Sequence, residues 1–357
     1  MSSVLDAASV TGSVIDSSPL PDERCPDVYF TEGYGAAAAL LRGGQWHCVR
    51  RDDRAMVPYV LNRLGNGKYD AVSPFGFSGV YVAPHCSAKE LARFWADVRQ
   101  WWQAQGVIAM YFRFSPLDPA STDAVRALDG VSLAQRNETI TIPVGNGPAD
   151  LWDNLKSSCR SRIRKAQRLG LSACLRRARA DDLHRASPFR TLYAQTMHRV
   201  GAAPDYVFTD AYYTALLNGV GSNLMLAQVR EPAGEVVAAA LVLTHRERVH
   251  YHLAGSDKSA GAGCANNLLI WAILRWAAES GRSVMHFGGG VRPGDTLFRF
   301  KSTFGGTTTP VWHGSAVIDE PAYDALVGEH AATLRMSARE LRECGYFPAY
   351  RYGAGLI

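Results

Sequence analysis

Four stretches of this 357-residue chain carry side chains able to do chemistry. Between Lys156 and Arg179 stand nine basic residues and no acidic one: Lys156, Arg160, Arg162, Arg164, Lys165, Arg168, Arg176, Arg177 and Arg179. Charge of one sign repels itself, so the pattern calls for counter-ions in solvent or for an anionic partner. A phosphate backbone is one such partner, bound with salt-dependent affinity and little sequence preference. A solvated helix face is the plainer alternative.

The second stretch, Gly288 to Gly306, reads GGGVRPGDTLFRFKSTFGG. Three glycines after a strand let the backbone bend sharply or pass close to another group. Lys301, set between Phe300 and Ser302, can aim a positive charge at a developing oxyanion. The alternative is a strand whose Lys reaches solvent. Arg299 and Asp295 bring charge beside it, and Asp295 is a candidate general base by sequence neighbourhood alone. Third, DKSAGAGCANN (257–267) precedes a helix, where free N–H groups can cradle phosphate. A flexible loop with Asn caps explains it equally. Fourth, His250 and His252 share one strand face and Tyr251 takes the other. No carboxylate or third His is close in sequence, so no metal site is expected. There is no G-x-S-x-G, so a covalent enzyme intermediate is not suggested.

These residues need elements to place them. Leu91, Trp95, Val98 and Trp102 lie at helical spacing and predict a helix over 88–105. Trp46 to Val49, Ala55 to Leu61, Val107 to Phe112 and Glu138 to Val144 read as strands. A Gly-Asn-Gly-Pro break at 145–148 divides the chain. Beyond it Asp150 caps one helix over 151–169, ended by Gly170. Its apolar face is Trp152, Leu155, Cys159, Ile163 and Ala166, expected in one core with Leu241, Leu243 and Ile270. The segments 180–200 and 209–217 read as helices. Strands at 224–229, 236–244 and 248–254 follow, then a helix over 264–280 and a strand over 284–287. Three strands, a helix and a strand is the order of an acetyltransferase-like core.

The length suits two domains, and 47% hydrophobic with 20% charged residues suits an ordinary globular protein. No 18-residue apolar run is present, so no membrane span is expected. Residues 1–26 lack a signal-like apolar core and read as a mobile tail. Seven scattered cysteines, with no C-x-x-C pair, predict reduced thiols and a cytoplasmic location.

Taken together, several segments resemble the FemABX family of aminoacyl-tRNA-dependent transferases. They are LWDNLKSSCRSRIRKAQRLGL (151–171), TMHR (196–199), YHLAGS (251–256) and FGGG…DTLFRFKSTFGG (287–306), with SPFGFSG and FRFSPL matching more loosely. The resemblance covers roughly Tyr29 to Leu326 and looks like a compact member, without the coiled-coil hairpin. It implies an α/β (α+β) fold of two tandem GNAT-like domains facing a central cleft. The expected division is a tail 1–26, a first domain 27–148, a second domain 149–316, and a segment 317–357 returning to the first. One continuous sheet without a cleft would contradict it.

The resemblance also implies roles. Phe300 and Lys301 lie at the reacting carbonyl, with Lys301 stabilising the oxyanion or the leaving ribose oxygen. Tyr251 contacts the acceptor, and Tyr206, Arg299 and Asp295 are further substrate-contact candidates. Lys156, Arg160, Arg164, Lys165 and Arg168 would hold tRNA. Aminoacyl-tRNA is then a co-substrate and no bound cofactor is required. Peptidoglycan-acting members carry an aromatic and an Arg after T-x-x-R, where this chain has Gly201-Ala202-Ala203-Pro204. That implies a smaller acceptor, a peptide or an amine natural product, over a peptidoglycan precursor. The competing donor is acyl-coenzyme A or an acyl-carrier thioester, which needs the 257–267 loop for pyrophosphate, as acetyltransferases use theirs. A non-catalytic module binding RNA or a glycan precursor is the reading from another class.

Overall fold

The structure is a computed structural model that describes residues 15–259 and 263–353. In the first half α1 (Glu32–Ala39) precedes β1 (Gln45–Arg51), β2 (Ala55–Gly65), β3 (Lys68–Val72) and β4 (Tyr81–Val82). Then come α2 (Ala88–Ala104), β5 (Val107–Arg113), α3 (Pro119–Val125) and β6 (Ser132–Pro143). The second half opens with α4 (Pro148–Asn154) and α5 (Ser157–Arg168), β7 (Ser172–Arg177), α6 (Ala180–Leu183), α7 (Pro188–Val200) and α8 (Asp210–Val220). It continues with β8 (Leu224–Arg230), β9 (Val236–His245), β10 (Arg248–Ser256), α9 (Ala265–Glu279), β11 (Val284–Gly289) and α10 (Thr296–Lys301). β12 (Thr307–Val317), α11 (Glu320–Leu334) and α12 (Ala338–Glu343) follow.

The strands form one sheet in the order β1-β2-β3-β5-β12-β6-β11-β10-β9-β8-β7, with β4 on β2. The ladder does not stop between the halves, because β6 pairs antiparallel with β11. The tandem character lies instead in the repeat of one motif. Each half has one parallel pair, β3–β5 and β10–β11, flanked by antiparallel strands. β12 sits between β5 and β6, so residues 307–316 belong to the first half's sheet and the expected boundary at 316 cuts a strand.

Two faces result. On one, α2 sets Leu91, Trp95, Val98 and Trp102 against Phe112 and Val107, its start fixed by a Ser87–Glu90 capping box. The same kind of packing puts Leu155, Ile163, Ile270 and Leu274 together in the second half. β9 alternates, so Ala240 and Val242 join that core. Leu241 and Leu243 face the other side, against Phe189, Tyr212 and Leu216 of α7 and α8. The expectation that Leu241, Leu243 and Ile270 share a core is corrected by this alternation.

The end segments are less free than the sequence implied. Residues 1–14 lie outside the described residues, but Leu20 and Cys25 are buried and Asp16 bridges to Arg50. Asp27, with no exposed surface, accepts from Arg248 (3.0 Å) and His250 Nε2 (2.7 Å), tying this segment to the second half. At the other end Tyr323, Val327 and Tyr350 pack on Ile108 and Ala109 of β5, and Arg351 pairs with Asp70. Cys25, Cys48, Cys86, Cys159, Cys174 and Cys344 are free thiols. Among the described residues no helix is long and apolar enough to cross a membrane.

Candidate active site

The site begins where β10 and β11 part. Their parallel pairing covers only Arg248–Val284, Val249–Met285 and His250–His286. Past that point β10 bulges at Tyr251/Leu253 against β9, and β11 bulges at His286/Gly288 against β6. Each strand follows its outer neighbour and a wedge opens between them. The rings of Tyr251 and Phe287 stand edge to face at its mouth, 5.2 Å apart.

Lys301 fills that mouth from the last turn of α10. Its ammonium donates to the Gly289 carbonyl at 2.8 Å and lies 5.2 Å from the Phe287 ring centroid and 5.8 Å from that of Tyr251. Among the described residues it is the one Lys or Arg in the buried class, and no ion pair with a carboxylate is formed. Burial pushes its pKa down to about 8, with only partial relief from the charge of Asp295. Gly288 is needed here: its φ is +73° and a Cβ would come within 3.1 Å of the Lys301 nitrogen. Gly290 is needed too, since a Cβ there would strike Asp295.

The segment carrying Lys301 is a helix, neither strand nor loop. Asp295 caps it, accepting from Phe298 N at 2.8 Å while also holding Val291 N (2.7 Å) and Arg292 N (3.0 Å). Partial burial raises the carboxyl's pKa, but those N–H groups outweigh it and hold it below the usual range. Both of its oxygens thus accept backbone N–H groups and fold the turn, while the general-base and substrate-contact roles expected of Asp295 stay expectations. Phe300 stacks edge-on to Phe304 (5.4 Å), and Arg299 is exposed on the outer side of the same helix. Tyr206 packs on Phe75 at 6.3 Å, and Phe75 contacts His252, the strand neighbour of Tyr251.

The basic stretch divides. The expected single helix breaks at Leu155 and Lys156, both extended, because Leu155 is buried and Lys156 N donates to Thr303 O at 3.0 Å. Arg160 donates to the carbonyls of Trp152, Asp153 and Leu155, satisfying the end of α4. Arg176 pairs with Asp182 (2.6 Å) and Arg164 lies over the Trp152 ring (5.3 Å). Lys156, Arg162, Arg164, Lys165 and Arg168 are exposed, and among the described residues no carboxylate pairs with them.

The T-x-x-R segment acts as a clasp. Thr196 and Arg199 both donate to Ser256 O, at 3.2 and 3.0 Å. Of the 257–267 loop, residues 260–262 lie outside the described residues. Asn266 donates to Ser256 Oγ and Asn267 to Cys159, so both amides are turned inward. Among the described residues no cluster of three metal-ligating side chains exists.

Residues 154–302 match the acetyltransferase (GNAT) domain family. FemX superposes with a TM-score of 0.69 at 12% identity, covering 87% of this chain and 99% of that one. The chain has the fold of FemX. A conserved protein of unknown function from Bacteroides thetaiotaomicron has the same architecture (TM-score 0.58, 10% identity, 85% and 99% covered). So has L-PGS from Bacillus licheniformis (TM-score 0.52, 12% identity, 83% and 93% covered). No curated protein matches the chain in sequence. The family match runs from the end of α4 to the residue after Lys301, so it spans the basic helix, the wedge and the buried Lys of this FemX-like fold.

Proposed function

We propose that the chain is an aminoacyl-tRNA-dependent aminoacyltransferase that forms an amide on the amine of a peptide or small natural-product acceptor. The observation that carries this reading is the junction between α5 and the Lys301 segment. The basic helix starts at Lys156, whose backbone bonds Thr303, two residues from Lys301. A polyphosphate chain lying along the unpaired cations would therefore end at the wedge. Its terminal ester would reach the one buried ammonium.

The acceptor amine, neutral, attacks the ester carbonyl. A C–N bond forms, the C–O bond to the ribose breaks, and the proton lost by nitrogen ends on the leaving oxygen. Lys301 donates to the oxyanion or to that leaving oxygen. With Asp295 committed to its cap, a substrate-assisted proton path is the simpler one. A cytoplasmic location goes with this donor.

Five cations remain available, Lys156, Arg162, Arg164, Lys165 and Arg168. If all five meet phosphates, log K for tRNA falls against log salt with a slope of about −4. Filter binding across a salt series measures it. Lys165→Glu with Arg168→Glu flattens the slope and leaves the melting temperature unchanged, since neither side chain touches the core. A salt-independent interaction, or none at low salt, removes the tRNA donor. Product formation that survives ribonuclease but needs acyl-coenzyme A would put the thioester donor in its place.

A further inference from the structure

Two imidazoles stand at the vertex of the wedge. His250 and His286 are the last register pair of the β10–β11 ladder, and the strands part directly beyond them. They take the sheet face opposite Tyr251 and Phe287, the rings that hold Lys301. Tyr29 meets the His250 ring edge to face at 4.8 Å, and Phe77 meets that of His286 at 4.7 Å. The two imidazole centroids are 5.8 Å apart. His250 is 1% exposed and His286 2%.

Asp27 orders the first ring. Its ionised carboxylate can only accept, so His250 Nε2 donates to it, at 2.7 Å. In the neutral ring Nδ1 then keeps a lone pair. Among the described residues that buried Nδ1 has no partner, and neither has the buried Nε2 of His286. A buried polar atom left unpaired costs stability, and two at one point call for a use beyond packing. A carboxylate that fixes an imidazole by one nitrogen and leaves the other open makes a proton-accepting dyad. The titratable groups acting on His286 are His250 of β10, Lys301 of α10 and Asp27 of the N-terminal segment; Phe77 covers it, and Thr141 pairs with it on β6. Burial, with the charges of His250 and Lys301 adding and that of Asp27 opposing, holds His286 well below the usual imidazole range. The ring is thus neutral at pH 7 and has a lone pair to offer.

We propose that His286, backed by the Asp27–His250 dyad, takes the proton that the acceptor nitrogen loses as the amide forms. The inference rests on the transferase reading and gives that proton a protein acceptor in place of the substrate-assisted path. Once the C–N bond has formed, the nitrogen is a substituted ammonium. His286 Nε2 takes its proton, directly or through one water. The C–O bond to the ribose breaks as Lys301 gives a proton to the leaving oxygen. Imidazolium and neutral Lys301 then reset by exchange with solvent, so one proton has moved from nitrogen to oxygen. The sheet keeps base and acid on opposite faces, where they cannot neutralise each other.

His286→Phe and His286→Asn, in the full chain, test this with labelled amino acid, tRNA, synthetases and an amine extract. The first removes an unpaired buried nitrogen and should melt no lower than the native chain. The second keeps a polar group but takes up no proton. Both should lower ribonuclease-sensitive turnover by on the order of 10²-fold at pH 7. The ratio of native to variant turnover should shrink as pH rises, by about tenfold per unit, because hydroxide replaces the lost base. Ionisation of the amine and of Lys301 is common to all three chains and cancels in that ratio. A ratio independent of pH, full turnover in either variant, or a lowered melting temperature in His286→Phe would overturn the relay and leave the transferase reading standing. No ribonuclease-sensitive turnover in the native chain sinks both.

Discussion

Lys301→Ala lowers turnover by on the order of 10²-fold while acceptor binding changes much less. One preorganised donor to an oxyanion contributes about 3 kcal/mol to the barrier, and that contribution exists in the transition state only. The ammonium is placed for this. It is buried, held by the Gly289 carbonyl and two aromatic rings, with no carboxylate in an ion pair with it. Because its pKa is pushed down to about 8, the donor loses its proton above that pH. Turnover should therefore fall on the alkaline side of about pH 8, against the gain expected from a more neutral amine. Lys301→Arg should abolish that alkaline limb without restoring the rate, since the guanidinium holds its proton but places its charge differently. Labelled amino acid, tRNA, synthetases and an amine extract, with and without ribonuclease, give the assay. Full turnover in Lys301→Ala with weakened tRNA binding would make Lys301 a phosphate anchor, and the oxyanion would pass to backbone N–H groups at Gly288 to Gly290.

Asp27→Asn should cost about 3–5 kcal/mol of stability, the range for breaking a buried ion pair by removing one partner. Asp27 is wholly buried between Arg248 and His250, and the amide would leave the Arg248 charge uncompensated. Desolvation raises the Asp27 pKa, but the charges and hydrogen bonds of His250 and Arg248 outweigh it and hold the carboxyl far below its usual range. With the folded value depressed, this stability is fully present above the unfolded pKa of about 4. It fades as pH falls below that value toward the folded one. The native chain should thus lose stability on acidification below about pH 4 more steeply than the variant. Urea unfolding at pH 7 and at lower pH measures both effects, and a change under about 1 kcal/mol at pH 7 would show the pair to be dispensable.

The sequence was legible where one period governs a segment. α2 reads from Leu91, Trp95 and Val98, because a half-buried helix repeats its contacts, and β8 to β10 match the strands expected at 224–229, 236–244 and 248–254. It was not legible where a distant partner decides. Nothing local breaks the helix between α4 and α5; burial of Leu155 and the bond from Lys156 to Thr303 do. α10 did carry a signal, Asp295 as a cap three residues before Phe298, beside the alternative of a strand for Lys301. Arg160 looked like its basic neighbours, and only the carbonyls of α4 set it apart. Lys301 stood out between Phe300 and Ser302 after the glycines, and its burial came only with the structure.

β12 has a consequence for how the chain comes to be folded during synthesis. β5 and β6 emerge early, but they are not neighbours in the sheet, because Thr307–Val317 lies between them. The first half therefore cannot close its sheet while the ribosome is still making the second. Each waiting strand offers unpaired N–H and C=O groups, which invite wrong pairing. The antiparallel core of β8, β9 and β10 is contiguous in sequence and can form while the first half waits. The last strand to be made then locks the first half shut, at the moment its own upstream neighbour, α10, brings Lys301 into the wedge.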